Sequence, residues 1–332
     1  MPFRALTGHR PPLELLARAI ARDTLPQSLL FSGPEGVGKR TAALALAQAL
    51  NCAQRVPFGD GLDACGTCKS CTRIARGVHA DVLLIEPGDS GSIKIEQVRE
   101  AIDRSGYRPF EGRRRLVAID QADALVVPAQ DAILKTLEEP PSASVFVLIT
   151  DRSDILLPTI LSRCQRLRFG PLTPAEVAGV LQRDHGMSEE EARAAAAASG
   201  GSVGRAIEGS AEEAIEARAA ATKLLQGAAS SKNPLQRLAG AKMLAGTGGD
   251  RDDLSRRLLA MSSLVRDLGL LNANADDRTL ANADLKPELE TLLRAYDAER
   301  TLNAFAVVDR ALFALDRNAS PKIVADWLAM NL

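Results

Sequence analysis

Short apolar runs and longer amphipathic stretches alternate along the first half of the chain. Runs of four or five residues lie at Leu29–Ser32, Val82–Ile85, Leu116–Ile119 and Val145–Ile149. Runs of this length, bounded by turn residues, are typical of strands that are buried on both faces of a sheet. A fifth strand is predicted at Gln165–Phe169.

Amphipathic helices are predicted between these runs, because their apolar residues recur at the spacing of one helix face. They cover Leu13–Arg22, Arg40–Leu50, Ile93–Ser105 and Ala124–Leu137. Strands that alternate with helices predict an α/β fold, here a five-stranded parallel sheet covered by helices.

Beyond Pro171 and Pro174 the pattern is helical and no ligand-binding constellation is apparent. Helices are predicted at Pro174–Arg183, Ser188–Ala198 and Ser202–Glu208. Four or five longer helices are predicted from Ala211 onward, with breaks at Ser230–Asn233, Gly246–Asp250, Asn272–Asp284 and Asn318–Pro321. This half is predicted to provide packing and interaction surface.

Composition narrows the class of protein. The chain has 332 residues, 46% hydrophobic and 25% charged, with a net charge of −1. A chain of this charge does not bind polyanions through bulk electrostatics, so nucleic acid would need a local patch or a partner. No apolar run approaches the length that spans a bilayer and no signal-peptide pattern is present at the start, so we expect a cytoplasmic protein.

The stretch LLFSGPEGVGKRT, Leu29 to Thr41, has the spacing of a phosphate-binding loop. Gly33, Gly36 and Gly38 allow backbone N–H groups to converge on anionic oxygens, and Lys39 adds a cation at the start of a helix. The pattern requires Ser or Thr directly after the lysine to bind Mg²⁺, and this chain has Arg40 there. Thr41 does not replace it, because one residue along a helix is a rotation of about 100°.

The third strand ends at Asp120, where a P-loop protein usually holds Mg²⁺ through water. An ATPase needs a carboxylate next, to orient and deprotonate the attacking water, but this chain has Gln121. Alternatively, Asp120 and Asp123 simply cap the following helix. The fourth strand closes on Thr150, whose hydroxyl is predicted to face the same sheet edge as the phosphate loop.

Four of the five cysteines, Cys52, Cys65, Cys68 and Cys71, have the spacing C-x12-C-x2-C-x2-C. Four thiolates fill a tetrahedral Zn²⁺ shell, and a closed shell of this kind is structural. Four free thiols or an iron–sulfur cluster are the alternatives.

Two further segments have a functional and a plain interpretation. The arginine-rich segment Arg104–Arg115 is a moderate nucleic-acid patch, but a solvated loop leading into the next strand is favoured. The pair Gly8-His9 could lie near a bound base, but it more commonly starts a helix.

Taken together, these motifs resemble the AAA+ clamp-loader subunits of bacterial DNA polymerase III. The resemblance rests on the phosphate loop GPEGVGK, the four-cysteine insertion, ILKTLEEPP (Ile133–Pro141) and LLPTILSRCQ (Leu156–Gln165). It implies an AAA+ P-loop domain over residues 1–170 with a zinc module at 52–71. It also implies a small helical lid domain at 171–210 and an all-α collar for oligomerisation at 211–332.

Within that family the chain resembles the δ′ type more than the γ/τ motors, which have threonine after the lysine and glutamate after the strand aspartate. The resemblance implies a non-hydrolysing stator in a heteropentamer with γ/τ and δ subunits. Through that complex it would act on the sliding clamp and primed DNA in replication, as part of a DNA-directed DNA polymerase holoenzyme. A membrane is not expected as a partner. Intrinsic ATPase activity is not expected.

The resemblance also assigns site residues. Arg163, with Ser162 in Ser-Arg-Cys, would be an arginine finger for a neighbouring subunit's ATP site. Gly204-Arg205 resembles the second nucleotide-sensing motif. Candidate nucleotide contacts are Gly33, Gly36, Gly38, Lys39, Thr41, Asp120, Thr150 and Arg205.

Three other functions stay open. They are an ATP-hydrolysing γ/τ motor, a stand-alone AAA+ ATPase such as a helicase loader, and an interaction protein whose loop is a relic. Because Lys39 and the three loop glycines remain, binding of ATP or ADP without hydrolysis also stays open.

Overall fold

The structure is a computed structural model that describes residues 1–209, 211–230, 233, 237, 250–276 and 279–332. The chain divides into two compact units, Met1–Pro171 and Leu172–Leu332. Each unit has its own hydrophobic core. The predicted further division between a lid and a collar near residue 210 stays a prediction.

The first unit is built on a five-stranded parallel sheet, which confirms the predicted fold class. The strand order is β4-β5-β6-β1-β7, with β1 Ser28–Ser32, β4 Val82–Ile85, β5 Arg115–Ile119, β6 Ser144–Thr150 and β7 Gln165–Arg168. All neighbouring pairs run parallel. Consequently every loop that follows one of these strands emerges at the same edge of the sheet.

Helices cover both faces of this sheet. They are α1 Arg10–Ala21, α2 Lys39–Asn51, α3 Lys69–Ala75, α4 Ile95–Ser105, α5 Val127–Glu138 and α6 Pro158–Leu161, with single 3₁₀ turns at Phe3–Ala5 and Ala122–Ala124. Successive residues of the central strands enter separate cores: Leu29 and Phe31 pack on one face, Leu30 on the other. This two-sided burial explains why the strands are continuous apolar runs.

A short antiparallel hairpin, β2 Val56–Phe58 and β3 Gly61–Asp63, lies between α2 and α3. It was not predicted, because three-residue strands are too short to show a periodic pattern. The hairpin lies within the segment that carries the four cysteines, so the insertion has an ordered element of its own.

The second unit is helical in the part that the structure describes, as predicted. It contains α7 Pro174–His185, α8 Glu189–Ala198, α9 Val203–Glu208 and the helices Ala211–Ser230, Arg251–Asn272, Lys286–Leu292, Ala298–Asp316 and Pro321–Asn331, with a 3₁₀ turn at Ala283–Leu285. Capping boxes start α7 at Thr173 and α8 at Ser188. The predicted break at Gly246–Asp250 lies, except for Asp250, outside the described residues.

Candidate functional site

The phosphate loop follows β1 at the carboxyl edge of the sheet. Its three glycines all have positive φ angles, 153° at Gly33, 69° at Gly36 and 102° at Gly38. A Cβ on Gly33 would lie 1.8 Å from the carbonyl oxygen of Phe169, so only glycine fits between β1 and the end of β7. The backbone therefore has the glycine-dependent form of an anion-binding loop.

Lys39 is the first residue of α2, and its side chain bends back over the loop. Its Nζ donates to the carbonyl oxygens of Gly33 at 2.7 Å and Pro34 at 2.6 Å. Burial lowers the pKa of Lys39, while nearby carboxylates, Asp151 first, act in the opposite direction. The ammonium thus lies inside the loop.

Arg40, the next residue, is half exposed and contacts two carboxylates. Its Nη1 donates to Glu86, which follows β4, and lies 3.4 Å from Oδ2 of Asp120, which follows β5. Burial raises the pKa of Asp120, and Arg40 acts against this rise. Glu86 was not singled out from the sequence, although its place directly after a predicted strand marked it as an edge residue.

Two other residues at this edge, Thr150 and Asp123, contact each other. Thr150 ends β6 beside β1, paired with Ser32, but its hydroxyl is buried and donates to Asp123 at 2.8 Å. Asp123 also pairs with Arg152 at 2.6 Å, so its carboxylate holds the end of β6 and does not cap a helix. Gln121 has a left-handed backbone, with φ 49°. Thr41 lies one residue beyond Arg40 in α2.

The four cysteines that the sequence singled out come together. Cys52 follows α2, Cys68 precedes α3 and Cys71 lies in it, and the four sulfurs all lie within 4.8 Å of one another. Four sulfurs around one zinc at 2.3 Å would be about 3.8 Å apart, so the arrangement fits the ion with small adjustments. The Cys52 and Cys68 sulfurs are already 4.0 Å apart.

Backbone geometry favours a thiolate at Cys65, whereas burial raises the pKa of Cys52 and Cys71. Sγ of Cys65 accepts hydrogen bonds from the N–H groups of Thr67 and Cys68 at 3.4 and 3.3 Å. Gly66, between Cys65 and Thr67, has φ 84°, as the tight turn requires. Burial alone would raise the pKa of Cys65, but these hydrogen bonds outweigh it and lower the pKa to about 6. The donor set therefore fits a structural metal.

The hairpin ties this cluster to the beginning of the chain. The buried carboxylate of Asp63 accepts the N–H groups of Phe3 at 2.9 Å and Arg4 at 3.1 Å. The Arg4 guanidinium also donates to the carbonyl oxygen of Cys65 at 2.7 Å. These contacts were not predicted, because they join residues about sixty positions apart.

Arg163 and Ser162 lie at the amino edge of the sheet, between α6 and β7. The Arg163 guanidinium contacts Oε2 of Glu138 at 3.1 Å and the carbonyl oxygen of Thr159 at 3.1 Å. Its side chain is 32% exposed, and Ser162 donates to the same carbonyl at 3.0 Å. Glu138, the first glutamate of LEEPP, was not singled out as the partner of Arg163.

An open groove of about 390 Å³ adjoins Arg163. Its lining comes from the starts of β1 and β7, the end of α5 and the segment before β7: Pro26, Gln27, Ser28, Leu137, Glu138, Pro140, Ser162, Arg163, Cys164 and Gln165. The guanidinium is thus accessible to a group that enters from outside this unit.

The phosphate loop and Arg163 lie on opposite edges of the sheet. The register pairs Leu29 with Gln165 and Ser32 with Arg168, so β1 and β7 run side by side over this length. Three residue steps of strand span roughly 10 Å, and the loop and the arginine lie beyond opposite ends. Arg163 therefore does not belong to the phosphate loop of its own unit.

Two other candidates lie elsewhere, and a third, His9, contacts the phosphate loop. Arg205 is an exposed residue of α9 in the second unit, and its backbone N–H donates to Ser202 at 3.1 Å. The arginine-rich segment runs from the end of α4 through a loop into β5, in which Arg115 is buried against Asp81 at 3.0 Å. His9 has φ 52° and precedes α1, and its ring contacts the Val37 carbonyl at 2.8 Å.

Among the described residues, no helix is both long and apolar enough to cross a membrane.

Comparison with known proteins identifies the family. Residues 8–173, half of the chain, match the family model described as DNA polymerase III, delta subunit. The chain belongs to this family. Membership of a DNA polymerase III subunit family agrees with the resemblance that the motifs predicted.

Individual relatives support this placement. The chain is 38% identical to DNA polymerase III subunit delta' of Bacillus subtilis over 165 residues, 50% of this chain and 48% of that protein. It is 32% identical to the gamma/tau subunit of Mycobacterium tuberculosis over 181 residues, 54% of this chain and 31% of that protein. The chain thus matches half or less of the length of these relatives.

A solved structure of a DNA polymerase III gamma subunit-related protein from Thermotoga maritima is 22% identical. The alignment covers 96% of this chain and 98% of that one, with a TM-score of 0.42.

Proposed function

We propose that this chain is a non-hydrolysing δ′ subunit of the clamp loader of DNA polymerase III. It supplies Arg163 in trans to the ATP site of a neighbouring subunit. Its partners are γ/τ and δ subunits in a heteropentamer that loads the sliding clamp on primed DNA. A replication subunit of this kind works in the cytoplasm, where the bacterial chromosome lies.

The position of Arg163 carries this proposal. The guanidinium is partly exposed, adjoins an open groove and lies on the sheet edge opposite its own phosphate loop. An arginine in this place is too far from its own phosphate loop to contact a nucleotide bound there. The phosphate that it contacts would therefore belong to a nucleotide on another subunit. Its planar fork binds two oxygens at once, which lysine does not do.

Two residues support a stator over a motor. Arg40 stands where a hydroxyl would bind Mg²⁺, and Gln121 stands where a carboxylate would act as base. An amide orients water but does not accept its proton near neutral pH. ATP or ADP bound at the loop would therefore persist without hydrolysis, while the four cysteines hold a structural zinc.

The test is the ATPase rate of the reconstituted complex, stimulated by clamp and primed DNA. Arg163→Ala should lower turnover at the site that receives the finger by roughly 10³-fold or more, because fingers supplied in trans contribute about that much. Arg163→Lys should restore little of it. The matched control is Arg193→Ala, since Arg193 also pairs with a glutamate on the surface but in α8.

Assembly is followed by gel filtration in the same experiment. A complex that assembles with Arg163→Ala and keeps its full turnover would overturn the finger assignment. Equal losses in the Arg163→Ala and Arg193→Ala variants would point to a general effect of surface charge and would also overturn it.

A further inference from the structure

Arg40 occupies the position that decides whether a phosphate loop holds a metal. It is the second residue of α2, where the loop pattern calls for a hydroxyl ligand of Mg²⁺. A guanidinium is always charged and donates hydrogen bonds but accepts none. The residue type therefore excludes a metal ligand at this point and adds a cation in its place.

The partners of Arg40 are the carboxylates at the ends of two neighbouring strands. Ile85 and Ile119 are paired in the parallel register of β4 and β5, so Glu86 and Asp120 emerge side by side. One nitrogen of Arg40, Nη1, contacts both of them, with 3.4 Å to Asp120. A single cation from α2 thus bridges two carboxylates at the edge where a metal would lie.

Asp120 has little capacity left for a metal. Its Oδ1 accepts the N–H of Gln121 at 3.1 Å and its Oδ2 faces Arg40, while its side chain is only 16% exposed. Mg²⁺ demands near-octahedral oxygen ligands at about 2.1 Å, with several waters. The residues at this edge do not fit that ion.

A plain surface ion pair is the alternative. Exposed pairs contribute little and open freely, and Arg40 and Glu86 are each 47% exposed. However, Asp120 is largely buried, and a buried carboxylate without a cation is costly. Arg40 is also covalently attached through α2. Its effective concentration at these carboxylates is therefore fixed, whereas that of a dissolved cation depends on the buffer.

We propose that Arg40 is an internal replacement for the divalent cation, so that the phosphate loop of this chain excludes Mg²⁺ whether or not a nucleotide is bound. The loop is then a metal-independent site, and any nucleoside di- or triphosphate it binds is held by the glycine loop and Lys39 alone. This inference concerns the chain's own loop and does not depend on Arg163.

The experiment uses the full zinc-loaded chain and electron paramagnetic resonance of free Mn²⁺, with ADP as the nucleotide probe. Wild type should bind no Mn²⁺ at this edge, with or without ADP, and Mn²⁺ should leave its ADP affinity unchanged. Arg40→Thr should bind roughly one Mn²⁺ per chain together with ADP. In that variant Mn²⁺ should tighten ADP binding about tenfold or more, and adding Asp120→Asn should remove the gain.

Arg40→Lys is the matched control, because it keeps a cation but not the fork and should also exclude Mn²⁺. Binding of Mn²⁺ by wild type that is lost in Asp120→Asn would overturn the proposal. This comparison does not require that any Arg40 variant folds. A folded Arg40→Thr chain that gains no Mn²⁺ would overturn it as well. If this proposal is overturned, the ATPase test of Arg163 is unaffected, because that test measures ATP hydrolysis at the site of the neighbouring subunit.

Discussion

At the scale of single residues, Asp81 organises the arginine-rich loop. Its carboxylate is fully buried at the start of β4. It accepts the N–H groups of Phe110, Glu111 and Gly112 at 2.7, 2.8 and 2.8 Å, and it pairs with the guanidinium of Arg115. Burial would raise the pKa of Asp81, but these hydrogen bonds outweigh it and hold the pKa below its usual value.

Asp81→Asn should therefore destabilise the chain strongly, because it leaves Arg115 buried without a counter-charge. Breaking a buried pair in this way costs about 3–5 kcal/mol. Urea unfolding measures the loss, and Asp103→Asn on the exposed face of α4 is the control with little expected effect. A loss well under 1 kcal/mol would contradict this role for Asp81.

The same pair fixes the sign of a pH effect. Because the folded state lowers the pKa of Asp81, its stabilising contribution is present above about pH 4, the unfolded pKa. It is lost as the pH falls through the lower folded pKa. The unfolding free energies of wild type and Asp81→Asn should thus converge in acid and stay apart at neutral pH.

At the scale of elements, the four-cysteine module is partly predictable. Cys65-x2-Cys68-x2-Cys71 predicts a metal turn, because such spacing brings thiolates together within a few residues. The hairpin β2–β3 and the contacts of Asp63 were not predicted, since they depend on residues far apart in the chain. Likewise, buried strands are recognisable as apolar runs. The contacts of Glu86 with Arg40 and of Glu138 with Arg163 were not predicted, because they depend on the order of the strands in the sheet.

Cys65→Ser should remove the zinc, because a shell of three thiolates binds the ion far more weakly. Elemental analysis of the purified chain should give roughly one zinc in wild type and much less in this variant. The fifth cysteine supplies the matched control. Burial raises the pKa of Cys164 to about 12, and its sulfur lies outside the cluster, so Cys164→Ala should keep its zinc. A wild-type chain without metal would contradict the assignment.

At the scale of the whole molecule, the family match ends close to where the first unit ends. It covers residues 8–173, and the second unit begins at Leu172. Apart from the Gly204-Arg205 pair, the first unit carries the motifs of the resemblance, because phosphate loops and metal turns depend on local spacing. The helical unit shows amphipathic periodicity, which predicts helices but not their partners, so its role as a collar stays a proposal.

The isolated chain should show no ATP turnover above background, because Arg40 and Gln121 replace two parts of the hydrolytic site. A phosphate-release assay on the purified chain tests this, with Lys39→Ala as the control for contaminating ATPases. Turnover that persists in Lys39→Ala would come from a contaminant. Robust hydrolysis that disappears in Lys39→Ala would contradict the stator and favour the γ/τ motor.

The contacts of Asp63 with Phe3 and Arg4 have a thermodynamic consequence. The carbonyl of Cys65, a residue of the proposed zinc site, accepts from Arg4, and Asp63 accepts from the backbone of Phe3 and Arg4. Linkage is reciprocal. If zinc binding stabilises the contacts of Phe3 and Arg4, those contacts increase zinc affinity by the same free energy. A change at the beginning of the chain is therefore also a change to the metal site.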